Sequence, residues 1–425
     1  MFKMENYDKY IKILEEELIP ALGCTEPISV AYGAAKAKEY LDEFPTKVII
    51  KSSGNIIKNA KSVVVPNTGG LKGMQASLLA GLVGGDASLG LEVLSVVSED
   101  QIKEINALMN TGLCEIQHLD TPTTLHTITY ATDGKKEVEV EIKESHTNIV
   151  RISVDGEDVY KKDAQAQADY KTDRSILSVD QIIDFVEIAN YDDYKDLLEN
   201  QIKSNIEIAQ EGIENEYGAN VGSTLLKYGN GSIESIVSGT TAAGSDARMN
   251  GCTMPVVTNS GSGNQGMTCS IPVIVYAREK GYDDIKMKKA LLLSNLITIH
   301  VKTGLTKLSC YCGAIVAGSG SAAGFAYLED LSRDQIKMAI TNVLGNLSGV
   351  VCDGAKESCA SKIASSVDAA FQALYLARDN QVFGHGCGIV EGDIEATIKN
   401  VGTLGRVGMK ETDEIILDIM TNIEN

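Results

Sequence analysis

The sequence predicts an α+β protein that is mainly helical and carries a smaller α+β unit. Two patterns point there. Strand-type alternation is confined to residues 45–155, and from about residue 176 onward nearly every apolar run has helical spacing. The chain has 425 residues, 44% hydrophobic and 23% charged, which is globular composition and enough length for two or three domains.

Residues 5–19 place Ile11, Leu14 and Leu18 three and four apart, one face of a helix that stops at Ile19-Pro20. A second helix starts at Thr25-Glu26-Pro27 and runs to about Leu41. Thr25 can cap it, Glu26 suits the first turn and Pro27 an early helical position. Residues 47–51 and 62–65 read as strands, 74–83 and 99–110 as short helices. In 137–144, Val138, Val140 and Ile142 alternate onto one face. Residues 149–154 alternate likewise, and 145–148 form the hairpin turn between them. The polar stretch 155–180 reads as a boundary. Beyond it, Ser178 with Gln181 resembles a capping box. Residues 283–308, 314–328, 333–347 and 355–376 read as long apolar helices, several rich in the Ala, Gly and Ser that allow close packing.

Charge narrows the function. Lys and Arg number 38 against 58 Asp and Glu, a formal charge of −20. Such a surface repels phosphate backbones and anionic lipid, so neither nucleic acid nor membrane is an expected partner. No apolar run reaches the ~18 residues of a membrane helix. The start of the chain lacks an apolar signal region, so the expected location is cytoplasmic. Nine cysteines in that compartment argue against a disulfide framework. Inert buried thiols, a reactive thiol or a metal site remain.

Four sets of residues carry candidate chemistry. Gly261-Ser262-Gly263-Asn264-Gln265-Gly266 fits a dinucleotide-binding fingerprint, with strand-like residues 254–258 before it and Asp283 downstream. The context argues against that ligand: Pro272 should interrupt the following helix, and no alternating strands come next. A Gly-rich turn fits better, and better still a loop offering backbone N–H groups and the Asn264 amide to a small anion. Gly239 and Gly244 are followed by Ser245, not Lys, so there is no P-loop.

Cys352 and Cys359 lie seven apart, close to two helical turns, so a helix starting near Asp353 would turn both thiols to one side. Spacing alone favours two small residues on the buried face of an Ala-rich helix over a metal. The further pair Cys310-Tyr311-Cys312 shifts the balance toward metal. The spacings are not those of zinc, whereas iron–sulfur clusters accept irregular ones. Cys24 precedes a helix N-terminus, where N–H groups and the dipole lower a thiol's pKa. A base or nucleophile and a small residue closing a turn are equally good readings of it. Of the five histidines, His118, His126 and His146 read as structural or exposed, His300 as a hydrogen-bonded helix residue, and His385 as a loop residue beside Cys387. Cys114, Cys252 and Cys269 read as ordinary buried thiols.

Five motifs in order resemble the L-cysteine desulfidase family, which is related to the iron–sulfur L-serine dehydratases. They are 22–27 (Leu-Gly-Cys-Thr-Glu-Pro), Ser53-Gly54-Asn55 with Lys58-Asn59, Ser245-Asp246-Ala247-Arg248-Met249, 259–266, and Cys352-Asp353-Gly354-Ala355. The match spans essentially the whole chain. The resemblance implies an oxygen-sensitive [4Fe-4S] cluster bound by three cysteines, Cys312, Cys352 and Cys359, with Cys24 as base. It selects Cys312 over Cys310 as the Cys immediately before Gly313. It implies α,β-elimination of L-cysteine to pyruvate, ammonia and hydrogen sulfide, an open iron binding the substrate thiol, and no pyridoxal. Thr25, Arg248, Asn264 and Gln265 are candidate substrate binders. For Arg248 a surface or interface ion pair is an equal alternative.

If Cys24 works beside Cys312–Cys359, the first 44 residues must fold back onto the helical part. The fold expected is therefore a mainly helical catalytic domain, residues 176–425 with helices from 1–44 packed on it, and a smaller α+β domain, 45–175, inserted between. An iron–sulfur L-serine dehydratase and a non-enzymatic cluster-based redox sensor are the alternatives. A homodimer is one option for the assembly.

Overall fold

The structure, a computed structural model, describes residues 3–162, 172–305 and 309–422. It is mixed α+β and mainly helical, with a six-stranded sheet to one side of a large helical body.

The chain begins in the helical body. Helix α1 (Tyr7–Glu17) buries Tyr10, Ile13 and Leu14, and the Tyr10 ring packs against Phe185 at 4.8 Å. A short strand, β1 (Pro20–Leu22), follows, and then helix α2 (Thr25–Lys38). The helix predicted to cap on Thr25 has Cys24 at its N-cap, in extended conformation. Helix α2 lies on the sheet side, not on the helical body as expected for residues 1–44. Val30, Ala34 and Ala37 face the sheet's core, while Ile28, Ala31 and Ala35 face a second apolar cluster. A helix buried on both faces needs small residues, and α2 has them.

The sheet has the order β3-β2-β4-β5-β6-β7. Its strands are β2 (Lys47–Ser52), β3 (Cys114–His118), β4 (His126–Thr132), β5 (Glu137–Lys143), β6 (Ile149–Val154) and β7 (Glu157–Lys161). All neighbours pair antiparallel except β2 with β3. Helices α3 (Gly54–Ala60), α4 (Gly73–Gly84) and α5 (Glu99–Leu108) accompany the sheet. Residues 62–65 are not a strand. Pro66 follows without an N–H, and only an isolated bridge joins Val64 to Lys72. The predicted boundary at 155–180 holds β7 at its start, and its middle, 163–171, lies outside the described residues.

The body contains α6 (Val179–Ile188), α7 (Lys195–Glu214), α8 (Val221–Tyr228), α9 (Ile233–Met249), strand β8 (Pro255–Val257) and α10 (Gly263–Lys280). It continues with α11 (Asp284–Thr303), α12 (Gly313–Leu328), α13 (Arg333–Leu347), α14 (Cys359–Arg378), α15 (Ile394–Thr403) and α16 (Lys410–Asn422). The helix predicted over 283–308 is α11, and residues 306–308 lie outside the described set. Ser178 caps α6 by accepting from the Gln181 N–H, one half of the predicted capping box. Pro272 does not break α10. The Thr268 carbonyl, which loses its N–H partner four residues on, accepts the Ser321 hydroxyl of α12 at 2.6 Å.

One small pairing positions the site. Strand β1 runs antiparallel to β8, with Pro20 opposite Val257 and Leu22 opposite Pro255. It ties residues 20–22 to the body two residues before Cys24.

Candidate active site

Cys24, Thr25, Arg248, Asn264, Gln265, Cys312, Cys352 and Cys359 all line one inner cavity of about 90 Å³. These eight residues, drawn from separate stretches of the sequence, therefore share one cavity. A wider outer cavity of about 410 Å³ adjoins it. The two share Glu26, Asn59, Ser262, Gln265, Gly313 and Cys352.

The three cysteines of the predicted ligand set come from separate segments. Cys312 is the N-cap of α12. Cys352 is held beside it by an isolated bridge between Tyr311 and Val351, in which the Cys312 N–H donates to Val350 O (3.1 Å) and the Cys352 N–H to Cys310 O (2.5 Å). Cys359 is the first residue of α14. The helix predicted from residue 355 starts four residues later, so Cys352 and Cys359 do not share a helical face. The turn through Gly354 (φ +94°) brings them together instead. A Cβ there would lie 2.6 Å from the Lys58 carbonyl, so only glycine fits. Burial, then the neighbouring Cys352, pushes the Cys312 thiol up to about 12 and raises Cys359. Lys362 stands at the cavity wall, its ammonium on Val351 O and Asp353. Among the described residues, no three His, Cys, Asp or Glu side chains converge closely enough to chelate a single ion. Three thiols around a common cavity suit a cluster, whose cysteines bind different irons and need not meet at a point.

Cys24 is buried, and its thiol donates to Glu26 Oε2 at 2.9 Å. The helix start was expected to lower its pKa. Burial and the Glu26 carboxylate outweigh that and raise it well above the usual thiol range, with Arg248 opposing. Burial alone would raise Glu26 too, but the nearby His146 and the Cys24 thiol hold it at about 2. Thr25 Oγ donates to Glu26 Oε2 and Gly261 O, and Asn59 Nδ2 donates to Glu26 Oε1 at 3.1 Å.

Arg248 is buried and forms no ion pair among the described residues. Its Nη1 donates to Asn264 Oδ1 at 3.0 Å, while its Nε has no partner. Gly263 lets it lie over the start of α10, since a Cβ there would sit 2.4 Å from Nε. A buried cation with a spare donor, facing a cavity at two helix N-termini, is a place for an anion.

The comparisons bear on what this cavity serves. A family model described as serine dehydratase alpha chain matches residues 88–418. The chain belongs to that family. A UPF0597 protein of Lachnoclostridium phytofermentans is 48% identical over 98% of this chain and 100% of its own length. One of Treponema denticola is 45% identical over 97% and 98% of the two chains. Membership in the serine dehydratase alpha chain family agrees with the relationship that the motifs suggested, and the family is named for a lyase reaction. The matched segment contains Arg248, Asn264, Gln265 and the three cysteines, while Cys24, Glu26 and Asn59 precede it.

Other residues fall elsewhere or were missed. Cys310 lies outside both cavities, its thiol on Met409 O at 3.3 Å, and Cys387 is exposed. His300 pairs with Glu395 and His126 with Glu141. His146, read as structural or exposed, is buried in the hairpin turn between β5 and β6 and lines the outer cavity, its Nε2 3.8 Å from Glu26 Oε1. Lys302 also lines that cavity, and its burial lowers its ammonium to about 8. The hairpin was legible, but its arrival at the site depends on long-range packing. No helix of the described residues is long and apolar enough to cross a membrane.

Proposed function

We propose that the protein is an L-cysteine desulfidase, eliminating sulfide from L-cysteine and, with water, releasing pyruvate, ammonia and hydrogen sulfide. The observation that carries this reading is the gathering of Cys24 with Cys312, Cys352 and Cys359 around one cavity, from separate segments.

Cys312, Cys352 and Cys359 would hold a [4Fe-4S] cluster, which when bound supplies a Lewis-acidic iron to the substrate thiol. The remaining work falls to the chain. Arg248, with the N-termini of α10 and α12, takes the substrate carboxylate. Cys24 Sγ receives the Cα proton. It can do so only as the thiolate, so the proton that this sulfur carries in the free protein leaves to solvent before turnover, while Glu26, to which the thiol is hydrogen-bonded, stays the carboxylate. Burial excludes bulk water from the aminoacrylate until it is released for hydrolysis.

Anaerobic purification followed by iron and sulfide analysis tests the reading. Expected are a cluster lost in air, a spectrum perturbed by L-cysteine, and sulfide release on turnover. A protein that reconstitutes no cluster, or a Cys352→Ala variant that keeps full activity, defeats it. The family's name favours a second reading, the same chemistry on L-serine, and steady-state rates with both amino acids decide between them.

A further inference from the structure

Glu26 and Asn59, which line both cavities, and His146, which lines the outer one, bring polar atoms close to one another. Glu26 Oε1 is held on an ionised carboxylate, 3.1 Å from the Asn59 amide nitrogen. Asn59 Oδ1 and His146 Nε2 are buried and have no hydrogen-bond partner. The three residues are less than a tenth exposed, and all line the outer cavity. Leaving two buried polar atoms unpaired is costly unless a ligand completes them. His146 Nε2 is 3.8 Å from Glu26 Oε1, too long for a hydrogen bond and short enough for both to reach one small donor.

We propose that Glu26, Asn59 and His146 form the subsite for the α-ammonium group of the substrate. The match is one of number, charge and place. An ammonium offers three N–H donors and one positive charge, and the site offers three acceptors and one negative charge. His146 accepts through Nε2 as the neutral Nδ1–H tautomer, in which the ammonium takes over the place facing Glu26 that the ring N–H holds in the free protein. Across the inner cavity Arg248 presents the opposite pattern, a cation with an unpartnered N–H. A zwitterionic amino acid then lies between Glu26 and Arg248, its α-carbon beside Cys24, which already touches Glu26. His146 is held in place by the hairpin, whose residue-146 carbonyl accepts the Ser29 hydroxyl at 2.7 Å. The sheet unit thereby contributes a specificity residue to a site otherwise built from α2, α3 and the helical body.

This inference rests on the reading of the substrate as a small α-amino acid, and its test separates the two. The probes are L-alanine, which has both charged groups but no leaving group, and propionate, which lacks the amine. Binding to the anaerobically reconstituted enzyme is measured by calorimetry for the wild type, Glu26→Gln, Asn59→Leu and His146→Phe. Wild type is expected to bind L-alanine at least tenfold more tightly than propionate. Each variant should lose about tenfold or more in L-alanine affinity while its propionate affinity stays within twofold, which also certifies that its cavity is folded. Equal wild-type affinity for the two probes, or variants that keep L-alanine binding or lose both probes together, overturns the proposal. If the probes behave as expected but L-cysteine is not turned over, the desulfidase reading fails and the ammonium subsite stands.

Discussion

At Cys24 a helix N-terminus and burial act in opposite directions, and burial wins. The sequence displays the first effect, because Thr25-Glu26-Pro27 announces a helix start. It cannot display the second, because burial comes from Val63, Met249 and Ala355, brought in from three other segments. The residue-scale expectation is therefore specific: Cys24→Ala should lower turnover by about 10²–10⁴-fold, the range for a removed proton-transfer group, and leave iron content unchanged. Loss of iron in parallel would make Cys24 structural. A second residue offers a stability test. Asp246 is buried, and burial raises its carboxyl to about 6, although the Gly222 N–H donates to it at 2.8 Å. The native state thus keeps a proton that the unfolded chain releases near pH 4. Stability should fall as pH rises from about 4 to about 6, by up to about 3 kcal/mol. Denaturant melts of Asp246→Asn across that interval should lose the decline.

Elements with strong periodicity were readable, and those whose buried face is not the apolar one were not. Strands β5 and β6 place Val138, Val140, Ile142 and Ile152 inward, as their alternation implies. Strand β4 inverts the rule. Its fully buried residues are Thr127, Thr129 and Ala131, while Ile128 and Tyr130 lie partly open, so an apolar alternation count points the wrong way. The cause is packing against α2, where a Cβ on Gly33 would lie 2.9 Å from Thr129 Oγ1. The same closeness recurs between α2 and α4, where a Cβ on Gly81 would be 2.2 Å from the Ala31 carbonyl. Gly81→Ala should therefore push α2 aside and destabilise by about 1–3 kcal/mol in chemical unfolding, with reduced activity because α2 carries Cys24 and Glu26. Helix α16 makes a comparable point for the far end of the chain. Its Asp413 pairs with Lys58, a lysine 2% exposed that also donates to Cys352 O. Asp413→Ala would leave that ammonium buried without its counter-ion, and a loss of about 3 kcal/mol or more is expected, read as a lower unfolding midpoint.

For the whole molecule, the site lies where distant stretches of the chain meet. Its groups come from residues 24–26 and 59, from the hairpin at 146, from 248–265, and from 312–362. Five sequence motifs marked most of these positions, but only the β1–β8 pairing and the packing of α2 between two apolar clusters bring them within reach of one another. This geometry has an energetic consequence. A group bound where the sheet side and the helical body meet stabilises both, because its binding free energy is lost if either one opens. Hydrogen exchange on the cluster-free and reconstituted protein should show slower exchange on loading, not only around Cys312 and Cys359 but also in α2 and in the turn at 145–148, tens of residues from any ligand in sequence. Protection confined to α12 and α14 would mean that the sheet unit opens independently of the site. His146 could then not be a fixed part of substrate recognition, and the role assigned here to the hairpin would fall.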